Sequence, residues 1–153
     1  MTSPYELTKR IISELRPGLL DDLGLEAAIE WQAQEFQRRT EIACKTDLIL
    51  EGVDPDRDTS TAFFRIFQET VTNAVRHAKA TEVTVRMRQE ERALILTVSD
   101  NGVGITAEQV AGSESFGIIG MRERAHQLSG EFKIVGVEGK GTTVEVRIPI
   151  EQD

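Results

Sequence analysis

The sequence has a single cysteine, Cys44, among its 153 residues. That excludes a disulfide framework and a cysteine-based zinc site. No apolar run approaches the roughly 20 residues of a membrane span. The first ten residues, MTSPYELTKR, lack the apolar core of a secretory leader, so a cytoplasmic domain with no membrane segment of its own is expected. Positive charge is scarce: 18 Lys and Arg stand against 26 Asp and Glu, a formal net charge of −8. A nucleic-acid surface needs a basic patch, so no nucleic-acid partner is expected. The glycine-rich turn at 99–105, SDNGVGI, lacks the following lysine and hydroxyl residue of a P-loop. What is present is ordinary: 39% hydrophobic and 29% charged residues, enough for one globular domain with a real core.

The apolar residues set out the elements. Leu7, Ile11, Ile12 and Leu15 in residues 1–16 fit the tail of a helix, which Pro17-Gly18 is expected to break. Leu25, Ala28, Ile29 and Phe36 predict a helix to about Arg39. Ile42, Cys44, Leu48 and Leu50 alternate as a half-buried strand. Thr59 or Ser60 is expected to cap the next helix, whose apolar stripe is Phe63, Ile66, Phe67, Val71, Ala74, Val75 and Ala78. Glu69, Asn73 and His77, four residues apart, make a polar stripe beside it. EVTVRMR and ALILTVSD read as two strands joined through QEER. Residues 106–116, TAEQVAGSESF, have no sustained apolar period and read as a loop ordered by a ligand. Ile118, Met121, Ala125 and Leu128 predict a third helix with Gly130 as its C-cap, and the last twenty-odd residues a hairpin. The expected fold is α+β: a two-layer sandwich of about three helices on one face of a five-stranded mixed sheet.

The carboxylate in SDNGVGI has a chemical reading. Adenine offers an exocyclic amine, which a buried aspartate can accept from, beside a ring nitrogen that a water can serve. Asp100 at a strand end, next to glycines that let a flat base approach, suits a purine. The phosphates then bind elsewhere, and a cation needs oxygen ligands of its own. Asn73 supplies such an oxygen, and Glu69 lies one helical turn away. Alone, Asp100-Asn101-Gly102 is an ordinary turn and the polar stripe a solvated face. Asparagine in mid-helix, however, needs a reason.

Four motifs in order carry a resemblance. FQETVTNAVRHAKA resembles the N box of the GHKL, or Bergerat-fold, ATPases. DNGVGI resembles their first glycine box, and FGIIGMRERA the second in its short-lidded NarX/DesK-like form. GKGTTVEVRIPI resembles the last glycine box and final strand, and LRPGLLDDLGLEAAIEW the entry into the domain. Over about residues 15–150 the chain is similar to the catalytic, ATP-binding domain of bacterial sensor histidine kinases.

The resemblance implies roles by position. Asn73 is the direct Mg²⁺ ligand, and Glu69 holds a metal-bound water; these two are the catalytic candidates. Arg76, His77 and Lys79 lie near the phosphates. Asp100 binds the adenine amine, Gly102 and Gly104 shape the pocket, and Ile105 and Met121 line it. Gly117 and Gly120 let backbone amides approach phosphate at a helix start. Thr142 supports the adenine water. Ser115-Phe116-Gly117 departs from relatives that carry an extra glycine there.

The implied cofactors are ATP and Mg²⁺. The implied reaction passes the γ-phosphate to a histidine on a dimerisation helix, then to a response regulator. Neither His77, which falls in the ATP motif, nor His126 matches that acceptor. Residues 1–16 are expected to be the end of a dimerisation helix or a linker, and 17–153 the catalytic domain, monomeric alone and dimeric in the full kinase. An anti-sigma-factor serine kinase of the same superfamily is the alternative. The GMRERA helix and the RPGLLDDLGLEAAI lead-in favour the sensor kinase. A nucleotide-binding regulatory domain without catalysis is the third reading.

Overall fold

The computed structural model describes residues 4–50, 52–112 and 116–150. The first helix, α1, runs over Pro4–Thr40 without ending at Pro17-Gly18. A proline inside a helix removes one hydrogen bond without forcing a stop. The direction changes instead at Gly24, where φ 80 and ψ 170 are open to a residue without a Cβ. The expected domain boundary at 16–17 therefore lies inside this helix. After the kink, Leu25, Ala28, Ile29, Ala33 and Phe36 are buried at helical spacing.

Strand β1 (Ala43–Leu48) follows and leads to α2 (Arg57–Asn73). The cap of α2 is Asp56 rather than Thr59 or Ser60: its carboxylate accepts from the Thr59 N–H at 2.8 Å. That bond holds the Asp56 carboxyl below its ordinary range. Helix α2 is buried on more than the expected stripe. Phe64 is as fully buried as Phe63, Ile66, Phe67 and Val71, because α2 lies against α1 as well as the sheet. Past Asn73 the helix widens into a π-helical turn, Ala74–Ala78, which Lys79 ends at φ 54.

Strands β2 (Glu82–Glu90) and β3 (Ala93–Asp100) form a hairpin with Glu91 and Arg92 at its tip. A short helix, α3 (Ala107–Ala111), occupies part of the segment expected to be loop. Thr106 and Gln109 close a reciprocal capping box on it. The rest of that expectation, at 113–115, lies outside the described residues. Helix α4 (Ile118–Gln127) ends with Ser129, not Gly130, in the left-handed region. Gly130 donates back to the Ala125 carbonyl at 2.8 Å, and Ser129 to that of His126 at 3.0 Å. Strands β4 (Glu131–Val137) and β5 (Gly141–Pro149) complete the chain.

The sheet order is β1-β2-β3-β5-β4, with β1 parallel to β2 and every other pair antiparallel. Val83, Val85 and Met87, Leu94, Leu96 and Val98, and Val144, Val146 and Ile148 all point to the helices and are buried. The opposite face carries Arg88, Glu90, Lys133, Glu145 and Arg147 around a buried Ile95. This is the expected two-layer α+β sandwich.

One core residue is out of keeping. Gln32 on α1 is 0% exposed, and neither its amide oxygen nor its nitrogen has a hydrogen-bond partner among the described residues. An orphaned buried polar group costs about 1–3 kcal/mol. Gln32→Met keeps the volume and removes both orphans, so it is expected to stabilise the domain by about 1–2 kcal/mol. Urea unfolding of the two proteins checks this, and a destabilised variant would contradict it.

Candidate functional site

An open cleft lies between the end of α2, the end of β3 and the start of β5. Its lining includes Thr70, Asn73, His77, Asp100, Gly104, Ile105, Phe116 and Thr142. The two ends of the cleft differ in chemistry.

At one end stands Asp100, half-buried where β3 stops. Its Oδ1 accepts from the Gly102 N–H at 2.8 Å and from the Thr142 N–H at 3.3 Å. Both bonds fall on one oxygen, which leaves Oδ2 as the acceptor for a ligand. Burial raises the Asp100 pKa, and the two backbone N–H groups partly oppose the rise. The Thr142 hydroxyl accepts from the Ile105 N–H at 2.8 Å, so the threonine is bonded on both sides of the turn.

The turn is held on several sides. Asn101 accepts from the N–H groups of Thr81 and Glu82 at 2.9 and 3.0 Å, so its role is structural. Val103 donates to the Ala78 carbonyl at 2.7 Å and accepts from Gly139 at 2.9 Å. A Cβ at Gly102 would strike the Ala78 carbonyl, and one at Gly104, where φ is 87, the Val137 carbonyl. These glycines let the turn close against its neighbours and leave the floor of the cleft flat.

At the other end, Asn73 donates from Nδ2 to the Phe116 carbonyl at 2.8 Å. Its Oδ1 is the atom left to meet a cation. The His77 ring lies against that of Phe116, with centroids 4.0 Å apart and planes tilted by 32°. Glu69 is half-buried beside Gly117, whose missing Cβ makes room for the carboxylate. The straight polar stripe expected of Glu69, Asn73 and His77 is thus divided. Asn73 and His77 line the cleft, whereas Glu69 lies against the start of α4. The division falls between Glu69 and Asn73, within regular α-helix, and the π-turn beginning at Ala74 lies beyond it.

The remaining candidates fall at different distances from the cleft. Gly117 starts α4 at φ 66. Gly120 is exposed, and nothing lies within 4 Å of where its Cβ would be, so packing does not require a glycine there. Arg76 and Lys79 are exposed at the helix end and do not line the cleft. Met121 is 1% exposed and lies beneath the lining, its sulfur 3.7 Å from the Thr70 hydroxyl. Thr70, Phe116, Ile134 and Val144 line the cleft without having been singled out in the sequence. For Phe116 a signal existed: an aromatic closing an otherwise polar stretch. For Ile134 and Val144, strand alternation predicts burial but not a ligand-facing surface.

Among the described residues, no cluster of three or more His, Cys, Asp or Glu could hold a metal ion. The donor set fits Mg²⁺ of a particular kind. It offers one amide oxygen in the cleft, from Asn73, with the Glu69 carboxylate one helical turn away against the start of α4, so the ion would complete its octahedron with water and phosphate oxygens.

Comparison with known proteins identifies the family. The family model described as "Histidine kinase-, DNA gyrase B-, and HSP90-like ATPase" matches residues 58–152. The sensor histidine kinase LiaS of Bacillus subtilis is 36% identical over 146 residues, covering 93% of this chain and 39% of LiaS. An uncharacterized sensor-like histidine kinase of Chloroflexus aurantiacus is 36% identical over 157 residues, covering 96% of this chain and 26% of its own length. The chain therefore spans well under half of either relative. Its fold is similar to that of the histidine kinase domain of a blue-light activated kinase from Erythrobacter litoralis, with a TM-score of 0.77 at 22% identity over 97% of this chain and 76% of that one. A matched model over most of the length, on a five-stranded sheet with a carboxylate and an asparagine at opposite ends of one cleft, settles the kinship: this chain belongs to the histidine kinase-, DNA gyrase B- and HSP90-like ATPase family.

Proposed function

We propose that this chain is the ATP-binding catalytic domain of a two-component sensor histidine kinase, working in the cytoplasm. The observation that carries the reading is the Asp100 carboxylate. It is half-buried at the floor of a cleft, with two backbone N–H groups on one oxygen and the other free for a base amine. Asp100 and the Thr142 hydroxyl select adenine. Ile105 and Val144 lie along the base, and Gly102 and Gly104 let the turn beneath it close against Ala78 and Val137. Asn73 Oδ1 and, through water, Glu69 hold Mg²⁺, which neutralises phosphate charge when bound. His77 stands in the cleft beside the phosphates, Arg76 and Lys79 supply positive charge from the exposed helix end outside the lining, and backbone N–H groups at Gly117 and Gly120 donate to phosphate at a helix start.

The domain's part in the reaction is positioning: it fixes the nucleotide and presents its terminal phosphate. The acceptor is a histidine of the kinase's own dimerisation domain, and the next acceptor is a response regulator. Neither His77 nor His126 is that acceptor. His77 is part of the cleft, and His126 lies in the last turn of α4. Both curated relatives are named as kinases of this kind, which supports the reading over an anti-sigma-factor kinase.

Asn73→Ala tests the cation assignment. It is expected to remove most of the gain in nucleotide affinity that Mg²⁺ gives, and to change affinity in EDTA little. Calorimetry under both conditions separates the cases. An equal loss in both would make Asn73 structural. Phosphotransfer to an added dimerisation domain tests the reaction itself, and no transfer to any such acceptor would count against kinase function.

A further inference from the structure

Three residues from α2 and its π-turn converge on the two residues that lead into α4. Asn73 donates to the Phe116 carbonyl at 2.8 Å. The His77 ring rests on the Phe116 ring, which leaves Phe116 only 7% exposed. Glu69 packs against Gly117, the residue at φ 66 that starts α4. The carboxamide of Asn73 is central to this arrangement, because its two ends serve different purposes.

We propose that Asn73 is a positioning residue as well as a cation ligand: one carboxamide joins the cation at Oδ1 to the Phe116 carbonyl at Nδ2, so that cation binding and the seating of α4 are coupled. The inference rests on the reading of Asn73 Oδ1 as the cation oxygen. Its chemistry follows from amide conjugation. A cation on the oxygen draws density from the nitrogen, and the N–H becomes a stronger donor to Phe116. The cation also fixes which end of the amide points where, since a flipped amide would turn its N–H₂ toward a positive charge. Coupling of this kind is reciprocal. A seated Phe116 holds the amide nitrogen, orients Oδ1 in advance and raises cation affinity.

This gives a reason for asparagine where aspartate would be the better cation ligand. A carboxylate at position 73 would set an oxygen with no proton against the Phe116 carbonyl, 2.8 Å from the present nitrogen. It would gain charge and lose the tie to α4.

The test uses nuclear magnetic resonance on the whole chain with ADP, comparing Mg²⁺ with EDTA. The probes are the Asn73 side-chain amide protons and the ring signals of Phe116 and His77. Mg²⁺ is expected to slow solvent exchange of the Asn73 amide proton that bonds to the Phe116 carbonyl at least about fivefold, the lower end of ordinary coupling between sites. It should also shift both ring signals. Asn73→Asp is expected to keep a Mg²⁺-dependent gain in ADP affinity while its ring signals no longer respond to Mg²⁺. Amide exchange in the parent that ignores Mg²⁺ would overturn the coupling, as would ring signals in the aspartate variant that respond as in the parent. Failure of the underlying reading looks different: Asn73→Ala would keep the full Mg²⁺ gain, and the cation would then have another ligand.

Discussion

Asp100→Asn is expected to lower ATP affinity about 10- to 100-fold. Oδ1 of Asp100 is occupied by the Gly102 and Thr142 N–H groups, so Oδ2 is left for the adenine amine. An amide must keep its oxygen toward those two donors, because its N–H₂ would clash with them. That places N–H₂ at the second position, donor against donor, where the adenine amine arrives. Losing a charge-assisted hydrogen bond costs about 1.5–3 kcal/mol, and each 1.4 kcal/mol is about tenfold in affinity. GTP should bind the parent far more weakly than ATP, since guanine carries a carbonyl where adenine has its amine. Calorimetry with both nucleotides decides the matter. Equal affinity for ATP and GTP would sink the assignment. Acidification supplies a further check. Burial raises the Asp100 pKa, so in the free domain its proton binds at higher pH than on an exposed aspartate. ATP affinity in the parent should therefore begin to fall on acidification before exposed carboxylates titrate, and the asparagine variant should lack that component.

Asp100 is also a fair measure of what the sequence disclosed. Its place at a strand end beside glycines follows from the apolar alternation of β3 and the loss of that alternation at Asn101. The chemistry of an acid beside a flat turn could be argued from residue types alone. The two N–H partners could not, because Thr142 lies 42 residues away and meets Asp100 only through the pairing of β3 with β5. The same limit applies to Phe116: no local pattern says that its carbonyl meets Asn73 across 43 residues. The sheet and the three long helices were legible because their burial repeats with a fixed period. The cap at Asp56 was missed because several capping residues stand together there, and only backbone geometry chooses among them. The continuity of α1 through Pro17 was missed because a proline weakens a helix locally, while the bend arose where Gly24 had the freedom to make one. The π-turn has no compositional mark at all. AVRHA reads as an ordinary helical segment, and the extra residue in the turn appears only in the backbone.

Gly141→Ala is expected to be the most damaging single-methyl change near the site, and Gly139→Ala a mild one. The two glycines stand two residues apart in the β4–β5 turn, at φ 123 and φ 74. Both angles favour glycine, so alanine at either place costs backbone strain of about 1–2 kcal/mol. Their surroundings differ. Nothing lies within 4 Å of a Cβ built at Gly139. A Cβ at Gly141 would run into the Asp100 carbonyl and approach the Asn101 Cα at 3.1 Å. Those are backbone atoms of a neighbouring strand and cannot swing aside as a flexible side chain would. Overpacking adds about 1–3 kcal/mol, so Gly141→Ala should cost about 2–5 kcal/mol in all, against about 1–2 for Gly139→Ala. The relief of that clash must push the start of β5 from the end of β3. Thr142 then loses its bond to Asp100, and the Ile105 N–H loses the Thr142 hydroxyl. ATP affinity should thus fall in Gly141→Ala even under conditions where the protein remains folded, and stay near the parent value in Gly139→Ala. Urea unfolding and calorimetry on both variants read the two effects separately. Equal stability of the two would mean that backbone angle alone sets the cost. A folded Gly141→Ala with parental ATP affinity would mean that the β3–β5 contact does not hold Asp100 in place.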